Sequence, residues 1–185
     1  DGKKPNEYPR TVIAIDPAVT QSKQSNETGI VVASRGEDNK FYIRDDLSGR
    51  YSPDAWARVA VENYYKYDAD KIIAEVNNGG DLVEKVVRTI DMNVSYRSVR
   101  ATKGKYVRAE PISALYEQDR VKHEKPLPFL EDQMCNYNPI NFTGSPDRLD
   151  ALVWGLTELT LRSGKAFWRI SWWQVYLITL KIFLV

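Results

Sequence analysis

The sequence predicts an α/β fold: a mixed five-stranded sheet, three antiparallel strands followed by parallel ones, with helices on both faces. Two observations carry this. Three β-branched or aromatic apolar runs come first, at residues 11–15 (TVIAI), 28–33 (TGIVVA) and 41–45 (FYIRD), close enough together to form a meander. Behind them, helical and strand periodicities alternate, as βαβ units do when helices cover both faces of a parallel sheet.

TVIAI reads as a buried strand, and the Asp16-Pro17 pair behind it places a carboxylate at the sheet edge. A polar loop over 21–27 leads to the second strand, and RGEDN is a hairpin turn into the third. Ser52-Pro53 supplies an N-cap and a proline at the first helical position, with Trp56, Val59, Ala60 and Tyr64 following at helical spacing. KIIA is a fourth strand ending in Glu75, and NNGG is a turn. Leu82, Val83, Val86, Val87 and Ile90 form the stripe of a second helix. Residues 94–99 make the fifth strand, 100–106 a basic loop and 109–118 a third helix, after which Pro126 and Pro128 open an irregular stretch. Ser145-Pro146 repeats the cap-plus-proline signal, and Leu149, Leu152, Val153, Leu156 and Leu159 mark the buried face of a final helix.

The 185 residues suit one ordinary domain, expected over 11–165. Residues 1–10 read as a linker from a missing upstream region, and 166–185 as an atypical hydrophobic tail. With 43% hydrophobic and 28% charged residues the chain is neither disordered nor fibrous. In the tail, Arg169 and Lys181 bracket eleven uncharged residues, short of the ~20 that span a bilayer, so no membrane partner is expected. No GxxxxGK[ST] loop occurs, which places any ATPase elsewhere. Cys135, the single cysteine, cannot form an internal disulfide and reads as a buried bystander thiol. Without a signal peptide, the cytoplasm is the expected location.

A net charge of +1 leaves nucleic-acid binding to local clusters, and one exists: Arg97, Arg100, Lys103, Lys105 and Arg108 fall in twelve residues that contain no acid. Lys103, Lys105 and Arg108 are expected to neutralise phosphates without reading sequence. Asn77, before Gly79-Gly80, serves equally well as a phosphate contact or as part of the turn. His123 lies in an alternating VKHEK segment and reads as a strand residue rather than a general base.

Three acids converge in this architecture: Asp16 ends the first strand, Glu75 ends the fourth, and Asp150 lies in the final helix. On that helix, Asp147, Asp150 and Trp154 share a flank beside the leucine stripe, so both aspartates face outward past the helix edge. Asp147, in the first turn, serves equally as a complement to the helix dipole. Phosphodiester hydrolysis without a covalent intermediate calls for two divalent cations about 3.5 to 4 Å apart. Hard ions such as Mg²⁺ or Mn²⁺ need only carboxylates, waters and substrate phosphate to complete their shells.

The stretches VIAIDPA, ETGIVVAS, IIAEVNNGGD, KGKYVRAEPISALYEQDRVKH and SPDRLDALVWGLTEL resemble successive landmarks of the C-terminal nuclease domain of phage terminase large subunits. The resemblance covers residues 11–161 and implies a ribonuclease H-like fold. It also implies a metal-dependent endonuclease that cuts concatemeric double-stranded DNA during genome packaging in the host cytoplasm. It gives Asp16, Glu75 and Asp150 the catalytic, metal-binding roles, with Asp147 a further ligand. It implies two Mg²⁺ or Mn²⁺ ions, and an ATPase domain, a small terminase subunit and a portal as partners. The residues leave open a junction resolvase, a hybrid ribonuclease of the same fold, or a non-catalytic prophage remnant.

Overall fold

A computed structural model describes residues 5–17, 27–76, 80–138 and 145–161. The β-branched or aromatic apolar runs become β1 (Arg10–Asp16), β2 (Gly29–Arg35) and β3 (Phe41–Asp46), each antiparallel to the next. β4 (Lys71–Glu75) and β5 (Tyr96–Val99) follow, and β4 lies parallel to both β1 and β5. A further strand, β6 (Val121–His123), pairs in parallel with β3, giving a six-stranded sheet in the order β5-β4-β1-β2-β3-β6 rather than the five strands expected. His123 stands in this strand as the alternating VKHEK segment predicts; the strand joins the sheet because β3 offers it an open edge.

Among the described residues five helices cover the sheet: α1 (Pro53–Lys66), α2 (Gly80–Ile90), α3 (Lys105–Glu117), α4 (Pro128–Asn136) and α5 (Asp147–Leu161). Ser52 caps α1 as expected, accepting from the Ala55 N–H at 3.3 Å. Three expectations are corrected. Pro128 does not break the chain but opens α4 near its N1 position, where the missing N–H has no intrahelical partner to lose. Helix α3 begins at Lys105, four residues early, so the last two residues of the expected basic loop are helical. Cys135 is also exposed rather than buried, because α4 turns Leu130, not Cys135, into the core.

Alternate residues of the central strands feed two cores. Ile13, Ile15, Ile30, Val32 and Ile72 pack with Trp56, Ala57 and Ala60 of α1 and Val87 of α2. Val12, Val31, Ala33, Phe41 and Ile43 pack on the other side with α3, α4 and α5. Helix α5 lies very close to the sheet. A Cβ at Gly155 would stand 3.2 Å from the Ala33 Cβ and 3.4 Å from that of Ala14. A Cβ at Gly29 would stand 1.9 Å from the Asp147 carbonyl oxygen. Small residues in β1 and β2 thus bring the start of α5 down onto the strand ends. The expected tail, residues 166–185, and residues 1–4 of the expected linker lie outside the described residues.

Candidate active site

Ile15 pairs with Ala74 in the parallel β1–β4 ladder, so the next residues, Asp16 and Glu75, leave the sheet side by side at one edge. Asp16 also pairs with Gly29, the residue against which Asp147 is packed. The first turn of α5 therefore overlies the edge that carries both strand-end acids. Asp147 and Asp150 are 7% and 3% exposed and Glu75 is 6% exposed. The expected outward flank is thus an inward one, because Gly29 lets α5 settle over the strand ends. Both aspartates stand in the first turn, where they also complement the helix dipole.

The four acids stand near enough to act on one another's charge. Burial pushes the Asp16 carboxyl well above the usual range, and the charges of Asp150, Glu75 and Asp147 push it further. Burial likewise raises Asp147 to about 6, against the opposing hydrogen bond from Ser145 and the charge of Lys105. Asp150 is raised by burial, with Lys105 and Arg108 opposing.

Two cations from the first turn of α3 stand among these acids. Lys105 Nζ lies 2.5 Å from Asp150 Oδ2 and 3.2 Å from Ser145 Oγ. Arg108 spans the cluster, with Nη1 3.4 Å from Glu75 Oε2 and Nη2 3.5 Å from Asp150 Oδ1. Its guanidinium lies over the Trp154 ring at 4.8 Å, and Trp154 Nε1 donates to Glu75 Oε2 at 2.6 Å. Burial disfavours the Lys105 ammonium, yet Asp150, Asp16 and Asp147 hold its pKa above the ordinary value. Sequence reasoning placed Lys105 and Arg108 in an open loop and gave Trp154 no task. The flank shared by Asp147, Asp150 and Trp154 was the available signal.

Lys103 is exposed in the turn before α3, and Asn77 lies outside the described residues. His123 sits in β6, away from the acids, between the Tyr116 hydroxyl and Glu131 at 2.8 Å each.

As the side chains stand, no three acids, histidines or cysteines among the described residues are gathered tightly enough to hold one ion. The donor set nevertheless fits a hard divalent cation. It is all carboxylate, the acids repel one another, and among the described residues the buried Asp150 Oδ2 has no donor apart from the Lys105 ammonium. Lys105 and Arg108 supply the positive charge the cluster needs.

A pH dependence follows. An acid whose folded pKa is raised binds its proton more tightly when folded, so its ionisation destabilises the fold as pH rises from the unfolded value, 3.8, through the folded one near 6. Asp147→Asn should therefore melt progressively higher than the parent as pH rises from about 4 to 7 in chelator, with the gap complete above the raised pKa. A gap that narrows over that interval would contradict the assignment.

The Terminase RNaseH-like domain family is matched over residues 13–159. Among solved structures, the chain is similar to the large terminase nuclease of thermophilic phage G20c with bound cobalt. There the TM-score is 0.60 and the identity 13%, over 81% of this chain and 82% of that one. It is also similar to a mutant nuclease domain of the large terminase subunit gp2 of bacterial virus Sf6, bound to manganese and beta-thujaplicinol. That match has a TM-score of 0.55 and 14% identity, over 80% and 88% of the two chains. RuvC of Thermus thermophilus matches with a TM-score of 0.50 and 13% identity, over 80% and 93%. No curated protein sequence matches the chain.

Proposed function

Because the chain belongs to the Terminase RNaseH-like domain family, we propose that it is a metal-dependent endonuclease that cuts double-stranded DNA, in concatemer cleavage during phage genome packaging. The observation that carries this reading is the meeting of Asp16, Glu75, Asp147 and Asp150 at one sheet edge. Asp16, Glu75 and Asp150 are the metal-holding catalytic acids, with Asp147 a further ligand. Two divalent cations held there would lower the pKa of the attacking water and stabilise the leaving oxygen.

The chain's own residues do the rest. Trp154 fixes the Glu75 carboxylate by its indole N–H and carries Arg108 on its face. Lys105 and Arg108 stand beside the acids, where the charge of an incoming phosphate would otherwise be repelled. Lys103 is a contact to the DNA backbone beside this cluster, and Asn77, outside the described residues, is proposed as a further phosphate contact. An ATPase domain, a small terminase subunit and a portal are the partners this role implies.

The test is cleavage of supercoiled plasmid and linear duplex by the purified chain in Mg²⁺ or Mn²⁺, beside a four-way junction and an RNA:DNA hybrid. Duplex cleavage that chelator stops is expected. Preference for the junction or the hybrid would reassign the substrate, and no metal-dependent cleavage by the folded chain would end the nuclease reading. In the same assay Lys103→Ala should weaken duplex binding and reduce the slope of log affinity against log salt by about 1. An unchanged slope removes Lys103 from the DNA path.

A further inference from the structure

Between the two aspartates of α5 stands Arg148, a residue that no motif in the sequence singles out. Its side chain turns away from the acidic cluster and is 8% exposed. Arg148 Nε and Nη2 each lie 2.9 Å from Glu27 Oε2, and Nη1 donates to Asp46 Oδ2 at 2.6 Å. The Phe129 ring of α4 closes over the guanidinium at 5.3 Å. Asp46 is itself fixed, because its other oxygen accepts from the Ser48 N–H at 3.1 Å and its backbone pairs with Val31. Glu27 immediately precedes the bridge between Thr28 and Gly49.

We infer that Arg148 is a positioning residue. Clamped by Glu27 and Asp46, it sets the rotation and lateral seat of α5, and so where Asp147 and Asp150 stand relative to Asp16 and Glu75. The inference rests on the nuclease reading of that cluster. Three anchors hold the start of α5, and each fixes a different coordinate. Gly29 sets how near the helix comes to the sheet. Gln133 of α4 takes up an otherwise unpaired helix N–H, accepting from Leu149 N at 2.9 Å. Arg148 ties the first turn to the ends of β2 and β3 through a rigid planar fork.

Stability alone does not explain the buried pair of Arg148 and Asp46 that the half-buried Glu27 completes, since desolvation offsets much of the Coulomb gain and apolar replacements are often neutral or stabilising. A fixed position does explain it. Displacing a catalytic group by about 1 Å costs on the order of 100-fold in rate.

The test compares the parent chain with Arg148→Met and with a triple variant, Arg148→Met, Glu27→Gln and Asp46→Asn, in which no charge is left uncompensated. Arg148→Lys is the conservative control. The readouts are melting in chelator, Mn²⁺ affinity by calorimetry, plasmid cleavage and the crystal structure of the triple variant. The triple variant should melt near the parent in chelator, with the start of α5 displaced by about 1 Å, Mn²⁺ affinity down about tenfold and cleavage down about 100-fold. KM for DNA should be unchanged. Arg148→Lys, which cannot engage both carboxylates as a fork, should fall between. An undisplaced α5 with parental Mn²⁺ affinity overturns the positioning role by itself. A parent chain that neither binds Mn²⁺ nor cuts DNA overturns the nuclease reading beneath it.

Discussion

Asp16→Asn is expected to abolish cleavage, by at least about 10³-fold, while raising the melting temperature in chelator. Both effects have one cause. Asp16 is opposed by its surroundings, raised first by burial and then by Asp150, Glu75 and Asp147. Without metal that repulsion is carried by the fold at neutral pH, so removing one charge relieves it. With metal, the same charge is what holds the ions, and a neutral amide holds them far less well. Asp150→Asn should abolish cleavage too, but with a smaller gain in stability, because Lys105 and Arg108 offset part of the burial that raises its carboxyl. Asp150 is the acid that Lys105 and Arg108 pair with, and its neutralisation leaves two cations short of a partner. Cleavage in Mg²⁺ beside melting in chelator separates the two variants. An Asp16→Asn protein that cuts at the parental rate would remove Asp16 from the chemistry.

Gly29→Ala should be the most damaging conservative change outside the acids. The added Cβ would stand 1.9 Å from the Asp147 carbonyl oxygen and 2.5 Å from its carbonyl carbon, both backbone atoms that no side-chain rotation can move. Helix α5 must retreat, or β2 must bend where it pairs with Asp16. Overpacking of this kind costs about 1–3 kcal/mol, and separating Asp147 and Asp150 from the strand-end acids should lower cleavage about 100-fold. Gly104→Ala is the control. Nothing lies within 4 Å of a Cβ there, and its backbone is in a region open to any residue. That change should alter stability by less than about 1 kcal/mol. Equal melting temperatures and rates for the two alanine variants would show that α5 does not need its close seat.

The fold was legible wherever one segment carried its own signal. The strands at TVIAI, TGIVVA and FYIRD, the Ser52-Pro53 cap and the leucine stripe of α5 each declare themselves through local periodicity or capping chemistry. What escaped was set by tertiary context. The alternating VKHEK segment was legible as strand, but its place in the sheet as a sixth strand is set by its partner, β3. Pro128 starts a helix in a setting where proline otherwise ends one. The strand-end acids were legible because register follows from chain order. Asp16 and Glu75 close parallel neighbours, and that needs no side-chain detail. The placement of Lys105 and Arg108 was not legible, because a basic run reads the same whether it faces solvent or a carboxylate cluster. The roles of Gly29 and Arg148 depend on contacts 118 and 121 residues away in sequence, between Gly29 and Asp147 and between Glu27 and Arg148. No local pattern reports such contacts.

The most direct measurement is a crystal structure of the chain soaked in Mn²⁺, with anomalous scattering to locate the ions. Bound Mn²⁺ is expected between Asp16, Glu75 and Asp150, roughly 2.0–2.3 Å from their carboxylate oxygens, with Lys105 displaced from Asp150. Saturating Mn²⁺ that leaves no anomalous peak among these acids, and leaves Lys105 and Arg108 in their ion pairs, would contradict the metal-dependent nuclease reading.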